Sequence, residues 1–114
     1  MQMPLNQKFS TDKTAMWFLV VAMSYLALGL LFGVLGGFQH ILPDLLKEKL
    51  AFQKIRPLHV YLVISWIFTA AQGAIYFYLP RLTQRKILWA AGVRLHLLLQ
   101  ASVSVAIITA FFLG

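Results

Sequence analysis

The chain has 114 residues, 61% of them hydrophobic and 11% charged, with a net charge of +7 and a mean hydropathy of +0.79. A soluble domain of this size needs more charged surface, so the composition indicates an integral membrane protein. The basic residues lie in short segments between apolar runs, which argues against a nucleic-acid partner and favours membrane lipid. The absence of cysteine excludes disulfides, thiolate metal sites and a cysteine nucleophile.

Three apolar spans follow one another along the chain. Ala15–Phe38 and Pro57–Pro80 are uncharged, and a third span from about Ile87 to Gly114 contains Arg94 as its one charge. A span of 24 residues reaches about 36 Å as a helix, enough to cross a hydrocarbon core of ~30 Å. In lipid only a helix satisfies the backbone of such a span. We predict an all-α, integral membrane fold in a single domain over residues 1–114, with helices at about 15–39, 57–80 and 87–113.

Two polar segments flank these spans. The N-terminal MQMPLNQKFSTDKT precedes an uncharged run too long for the apolar part of a signal peptide, so we expect it to be retained. Between the first two helices, DLLKEKLAFQKI (44–55) mixes apolar and charged residues. This mixture predicts a short amphipathic segment along the membrane interface, with a solvated loop as the alternative.

The loop charges predict the orientation in the membrane. The N-terminus and the second loop share one side of the membrane and carry five basic residues, whereas the first loop carries four. The positive-inside rule counts Lys and Arg, so this difference favours an N-terminus inside. His59 then lies near the outer face.

Small and aromatic residues suggest how the helices pack. Gly29, Gly33 and Gly37 recur every four residues in the first span, a spacing that allows helices to approach closely in lipid. Three aromatic residues have three possible roles, as a wall of a haem site, an interfacial belt or packing: Trp66, Tyr76 and Tyr78.

Three histidines are candidates for chemistry. His59 lies about one turn into the second predicted helix, where an ionisable residue marks a candidate site and imidazole is a common haem ligand. Its position alone leaves two interpretations open, an iron ligand and an interfacial histidine bonded to a loop carbonyl. His96 lies roughly 20 Å away in depth, too far to share one iron with His59. We interpret His96 as interfacial or structural and His40 as a loop or interface residue.

The acidic residues form no catalytic arrangement. Asp12, Asp44 and Glu48 all lie outside the apolar spans, so no pair of carboxylates is predicted within the membrane. The sequence also contains no phosphate-binding loop and no metal-binding His/Glu pair on one helix. We therefore do not expect this chain to catalyse a reaction alone.

The start of the second helix resembles a known family. RPLHV (56–60) enters the helix, Trp66 follows seven residues after the histidine, and GAIYFYLP begins at Gly73. These features resemble helix two of the heme-copper oxidase superfamily's catalytic subunit, most closely its nitric oxide reductase and C-type (cbb-type) oxidase branches. The first helix ends in GGFQHILPDLL, which is similar to the family's first helix and the loop after it. Val60 and Tyr61 depart from the small polar residues that often follow the histidine in that family.

The resemblance implies a role in electron transfer. It identifies His59 as an axial ligand of a low-spin haem b, with the second axial ligand supplied from outside this chain. Arg56, almost one helical turn earlier, is then placed to offer a cation near the haem propionates. The expected partners are the remaining helices or subunits of a nitric oxide reductase or terminal oxidase in the bacterial inner membrane, of which this chain is a fragment or subunit. The residues do not separate oxygen from nitric oxide chemistry.

Two interpretations compete with electron transfer. One is a non-redox structural or accessory membrane subunit that packs through its glycines. The other is a small multidrug-type exporter, which would need a carboxylate within the membrane to couple transport to protons. No acidic residue occupies the predicted spans, which disfavours the exporter.

Overall fold

The computed structural model describes residues 8–113, which form three α-helices. They are α1 (Asp12–Ile41), α2 (Phe52–Thr83) and α3 (Ala90–Leu113). Each is long and apolar enough to cross a membrane by length and composition. The predicted all-α fold with three membrane-spanning helices is therefore confirmed. Residues 1–7 and Gly114, which belong to the predicted domain, lie outside the described residues.

The second helix is longer at both ends than its prolines suggest. It begins at Phe52, so Pro57 lies inside the helix instead of in its first turn. At the other end Pro80 is followed by residues up to Thr83, and the carbonyl of Pro80 accepts the backbone N–H of Gln84. Each proline removes one backbone donor from the helix. The remaining hydrogen bonds and the packing against α1 keep the helix continuous, so the predicted proline boundaries are wrong by about one turn.

The linker between α1 and α2 is a set of turns stabilised by one side chain. Residues 43–49 form turns, with Leu46 in the left-handed region at φ 56°. The side-chain amide of Gln39 donates to the carbonyls of Leu45 (2.9 Å) and Leu50 (2.7 Å). The predicted amphipathic segment is thus divided between these turns and the start of α2, and its contact with the membrane interface stays a prediction.

The first two helices pack through a seven-residue repeat. Apart from Thr14, the buried residues of α1 alternate at spacings of three and four, the pattern of helices that wind around each other. One position of the repeat is always small and the other is large or polar. The small residues are Ala15, Ala22, Gly29 and Gly36, and the others are Phe18, Tyr25, Phe32 and Gln39. Small residues at this spacing allow α2 to lie close along the whole of α1.

The third helix contacts the other two through polar and apolar side chains. Its buried residues are Val93 and Ser104. The Ser104 hydroxyl is hydrogen-bonded to the hydroxyls of Tyr25 and Tyr61, and Gln100 donates to Thr69. These bonds connect α3 to both α1 and α2, and Ile108 and Phe111 of α3 pack against the hydrophobic core.

The contacts of His96 agree with the structural role inferred from its position. Its Nδ1 lies 2.8 Å from the hydroxyl of Tyr76, and its ring meets that of Phe18 edge-on at 5.2 Å. Of the aromatic residues whose role the sequence leaves open, Trp66 is partly buried and packs against the hydrophobic core. Tyr78, in contrast, is 45% exposed.

An ion pair joins the start of α1 to the end of α2. Arg81 donates to both carboxylate oxygens of Asp12 at 2.8 Å and also to the carbonyl of Phe77. Its guanidinium lies over the ring of Phe77 at 3.8 Å. Arg81 is only 2% exposed, so it is a packed residue of α2 and not the loop charge that the sequence suggests.

Candidate functional site

A groove of about 180 Å³ lies where α1 ends and α2 begins. It brings together the two predicted site residues, His59 and Arg56. His40, which the sequence places in a loop or interface, lies in the last turn of α1 and lines the same groove. The remaining wall is apolar or glycine: Phe32, Gly33, Gly36, Gly37, Phe52 and Ile55.

The imidazole of His59 is tied to the backbone of the opposite helix. Its Nδ1 lies 2.6 Å from the carbonyl oxygen of Gly29. A carbonyl oxygen can only accept, so Nδ1 carries the proton and donates. In the neutral ring Nε2 then keeps its lone pair, the state in which imidazole binds a metal. A hydrogen bond from the other ring nitrogen to a carbonyl is the usual way in which proteins orient a ligating histidine.

Gly33 makes this position of the ring possible. A Cβ atom built on Gly33 would lie 2.7 Å from Cε1 and 3.0 Å from Nδ1 of His59, closer than atoms tolerate. Any side chain at position 33 would therefore displace the imidazole from the carbonyl of Gly29. The sequence predicts Gly33 as a packing residue, and what it packs against is the candidate ligand.

The other glycines of α1 differ in what they contact. A Cβ on Gly29 would lie 3.4 Å from Leu62, and one on Gly36 would lie 3.3 Å from Ile55. A Cβ on Gly37 would meet no atom within 4 Å, although Gly37 lines the groove. The prediction that Gly37 packs against a helix is therefore wrong within the described chain. Gly36, which lies outside the four-residue spacing, takes the packing position.

At its open end the groove carries two hydrogen-bond donors, His40 and Arg56, and no acidic side chain lines it. His40 and Arg56 are both exposed. The His40 ring contacts the Phe52 ring edge-on at 4.9 Å. Among residues 8–113, neither side chain makes a hydrogen bond or ion pair with protein, and no acidic residue lines the groove. An anionic group would find uncompensated donors at this place.

A metal site built from several side chains is not found in the described part of the chain. No group of three or more His, Asp or Glu side chains in residues 8–113 is arranged to hold a metal ion. His59 lines the groove, and its hydrogen bond to the carbonyl of Gly29 leaves Nε2 with a lone pair.

Comparison with known proteins relates the chain to respiratory membrane enzymes. Residues 13–114 match the family model of cytochrome c and quinol oxidase polypeptide I. The chain is 32% identical over 73 residues to a subunit of the nitric oxide reductase of Stutzerimonas stutzeri. The aligned part covers 64% of this chain and 15% of that protein, so the chain spans only a small part of this relative's length. No solved structure matches the chain.

Proposed function

The chain belongs to the family of cytochrome c and quinol oxidase polypeptide I, and from this membership we propose that it contributes an axial imidazole to a low-spin haem b. It would act as a membrane electron-transfer component within a nitric oxide reductase or terminal oxidase catalytic subunit. The proposal carries the resemblance of the RPLHV stretch to this superfamily down to a single residue, His59. The second axial ligand would come from outside the chain.

The hydrogen bond between His59 and Gly29 is the observation that carries the proposal. It places the proton on Nδ1 and leaves the Nε2 lone pair for a metal. The acceptor is a backbone carbonyl within α1, so the orientation of the ring is set by the packing of two helices. A ligand built in this way is oriented before the cofactor arrives.

The groove provides one wall of a site for a flat cofactor with an apolar body and an acidic edge. Its inner part is lined by apolar side chains, and Gly37 leaves open space in front of the α1 backbone. Arg56 lies three residues before His59, about 4.5 Å nearer the start of α2. Since α1 and α2 form only one side of the groove, other helices or subunits would complete the pocket and supply the second ligand.

When bound, such a haem would supply a one-electron iron centre for electron transfer, held in part by His59. The part of this chain is to hold and orient one imidazole through Gly29 and Gly33. The close packing of α1 on α2 also keeps water from the inner side of the ring, because backbone and side chains fill that space. We place the chain in the bacterial inner membrane with its N-terminus inside, which puts His59 near the outer face.

The experiment is chemical rescue of a ligand cavity in the assembled complex. His59→Gly should remove the low-spin haem spectrum, and added imidazole should restore it by occupying the vacated space. His96→Gly, at the other end of the helices, should leave the spectrum intact. Arg56→Leu should lower the haem midpoint potential, because loss of a nearby positive charge favours the oxidised iron. An unchanged spectrum in His59→Gly would favour the structural-subunit interpretation.

A further inference from the structure

We propose that His40 and Arg56 together bind the carboxylates of the cofactor in the groove, one donor from each helix. This inference rests on the proposed function and extends it to a residue that neither the sequence nor the family comparison assigns. It makes His40 a cofactor-binding residue at the mouth of the groove, on the helix opposite Arg56.

His40 differs from the other two histidines because its ring nitrogens make no hydrogen bond within residues 8–113. His59 is bonded to the carbonyl of Gly29, and His96 is bonded to the hydroxyl of Tyr76. The ring of His40 contacts the ring of Phe52 edge-on at the groove wall, and the residue is exposed.

The position of His40 suits an acidic edge better than an iron. It lies seven residues beyond Gly33, the residue that contacts His59, which corresponds to about 10 Å along α1. It therefore lies towards the open end of the groove, away from the ring of His59. Arg56 lies on the same side of His59 along α2. The two donors thus line the same end of the groove from opposite helices.

No protein carboxylate competes for these donors. The groove is lined by three residues with ionisable side chains, all basic, and by no acid. Of the acids in the adjoining linker, Asp44 pairs with Lys47 at 3.8 Å. An imidazole N–H donates whether or not the ring is protonated, and the guanidinium donates as a charged fork. A ligand with two carboxylates next to an apolar body would therefore use both.

The phosphate of a phospholipid can accept hydrogen bonds from the same donors. The position of His40 and Arg56 beside His59 favours the cofactor instead. The donors share one groove with His59, so a molecule that reaches the imidazole with its centre brings its edge to His40 and Arg56. A lipid headgroup would engage the same side chains without any relation to His59. The two sources can be separated by removing the charge from the cofactor alone.

The test compares haem b with its dimethyl ester, in which both carboxylates are blocked. The assembled complex is stripped of haem and reloaded with either form, and the dissociation constant of each is measured by optical titration. The variants are His40→Phe, which keeps the ring contact with Phe52 and removes the donor, and Arg56→Met. Lys49→Met removes an exposed charge from the same end of the molecule outside the groove and serves as the control.

We expect His40→Phe to raise the dissociation constant of haem b about three- to tenfold, the range for one partly exposed charge-assisted hydrogen bond. Binding of the dimethyl ester should change less than about twofold. Lys49→Met should change neither. An equal loss for both cofactors would overturn the inference, since it would point to packing or a lipid phosphate, and so would no loss for either. The proposed function fails separately, if His59→Ala keeps the low-spin spectrum.

Discussion

The Nδ1 atom of His59, on α2, lies 2.6 Å from the carbonyl oxygen of Gly29, on α1. This bond joins the candidate haem ligand to the backbone of a second helix. It exists because Gly33, one turn further along α1, has no side chain to occupy the space of the ring. The direction of the imidazole is therefore a property of the α1–α2 interface, and substitutions in that interface should affect the ligand.

Substitutions of Gly33 should separate ring orientation from helix packing. Gly33→Ala places a methyl group where the imidazole lies, and the ring can rotate away more easily than the helices can separate. We expect a stable protein whose low-spin haem spectrum is shifted or partly lost. Gly33→Leu should also force the helices apart and lower the midpoint of thermal unfolding in detergent. An unchanged midpoint and spectrum in both variants would show that the ring does not depend on this glycine.

The adjacent residues Gly36 and Gly37 should differ in how much a leucine substitution lowers the stability of the protein. Gly36 faces Ile55 at close range, so Gly36→Leu should destabilise the protein by about 1–3 kcal/mol, as overpacked sites do. Gly37 faces open space, so Gly37→Leu should change stability by no more than about 1 kcal/mol. Gly37→Leu should nevertheless weaken haem binding, because the leucine fills the groove. Thermal unfolding and haem titration measure the two effects; equal stability losses would contradict the difference between these positions.

The ion pair between Asp12 and Arg81 should stabilise the helix hairpin. Asp12→Asn removes the charge that compensates a guanidinium with 2% exposure. Removing the counter-charge of a buried cation is costly, whereas an exposed ion pair contributes little. Lys47→Met, which removes the exposed ion pair between Lys47 and Asp44, is therefore the matched control. Thermal unfolding in detergent should show a clear fall for Asp12→Asn and almost none for Lys47→Met. Similar midpoints for the two variants would mean that the buried pair contributes no more than a surface pair.

The number and positions of the helices follow directly from the sequence. An uncharged span of membrane length can satisfy its backbone hydrogen bonds in lipid only as a helix. Such spans can be recognised in the sequence without any information about packing. The ends are less accurate because a proline does not always mark a helix boundary. At Pro57 and Pro80 the neighbouring hydrogen bonds and the contact with α1 keep the helix intact.

The packing faces could not be predicted with the same success. Residues that face lipid are as apolar as those that face a helix, so hydrophobic periodicity does not mark the interface. The seven-residue repeat of Ala15, Ala22, Gly29 and Gly36 carries that signal. The glycines at 29, 33 and 37 form a more conspicuous pattern, which explains why the sequence predicts packing for Gly37 and not for Gly36.

The candidate site was predicted in part. His59 and Arg56 are visible as an ionisable pair at the start of a membrane helix, and the groove contains both. The contribution of His40 depends on α1 continuing to Ile41 and on α2 beginning at Phe52, neither of which the sequence indicates. The bond to Gly29 likewise depends on how the two helices are aligned, which no local pattern specifies.

The orientation of the chain can be tested with single cysteines, because the natural sequence contains none. Glu48 and Gln84 are exposed at opposite ends of the hairpin. With the N-terminus inside, Glu48→Cys should react with a membrane-impermeant thiol reagent from outside, and Gln84→Cys should react only after the membrane is opened. The reverse pattern would invert the topology and move His59 to the inner face.

The reduced-minus-oxidised absorption spectrum of the assembled complex tests the central claim most directly. If His59 is an axial ligand, His59→Ala should abolish the paired visible bands of low-spin haem b. His96→Ala, which removes a histidine bonded to Tyr76 at the other end of the helices, should leave them unchanged. Low-spin bands of unchanged position and intensity in His59→Ala would contradict the account and leave the chain as a structural membrane subunit.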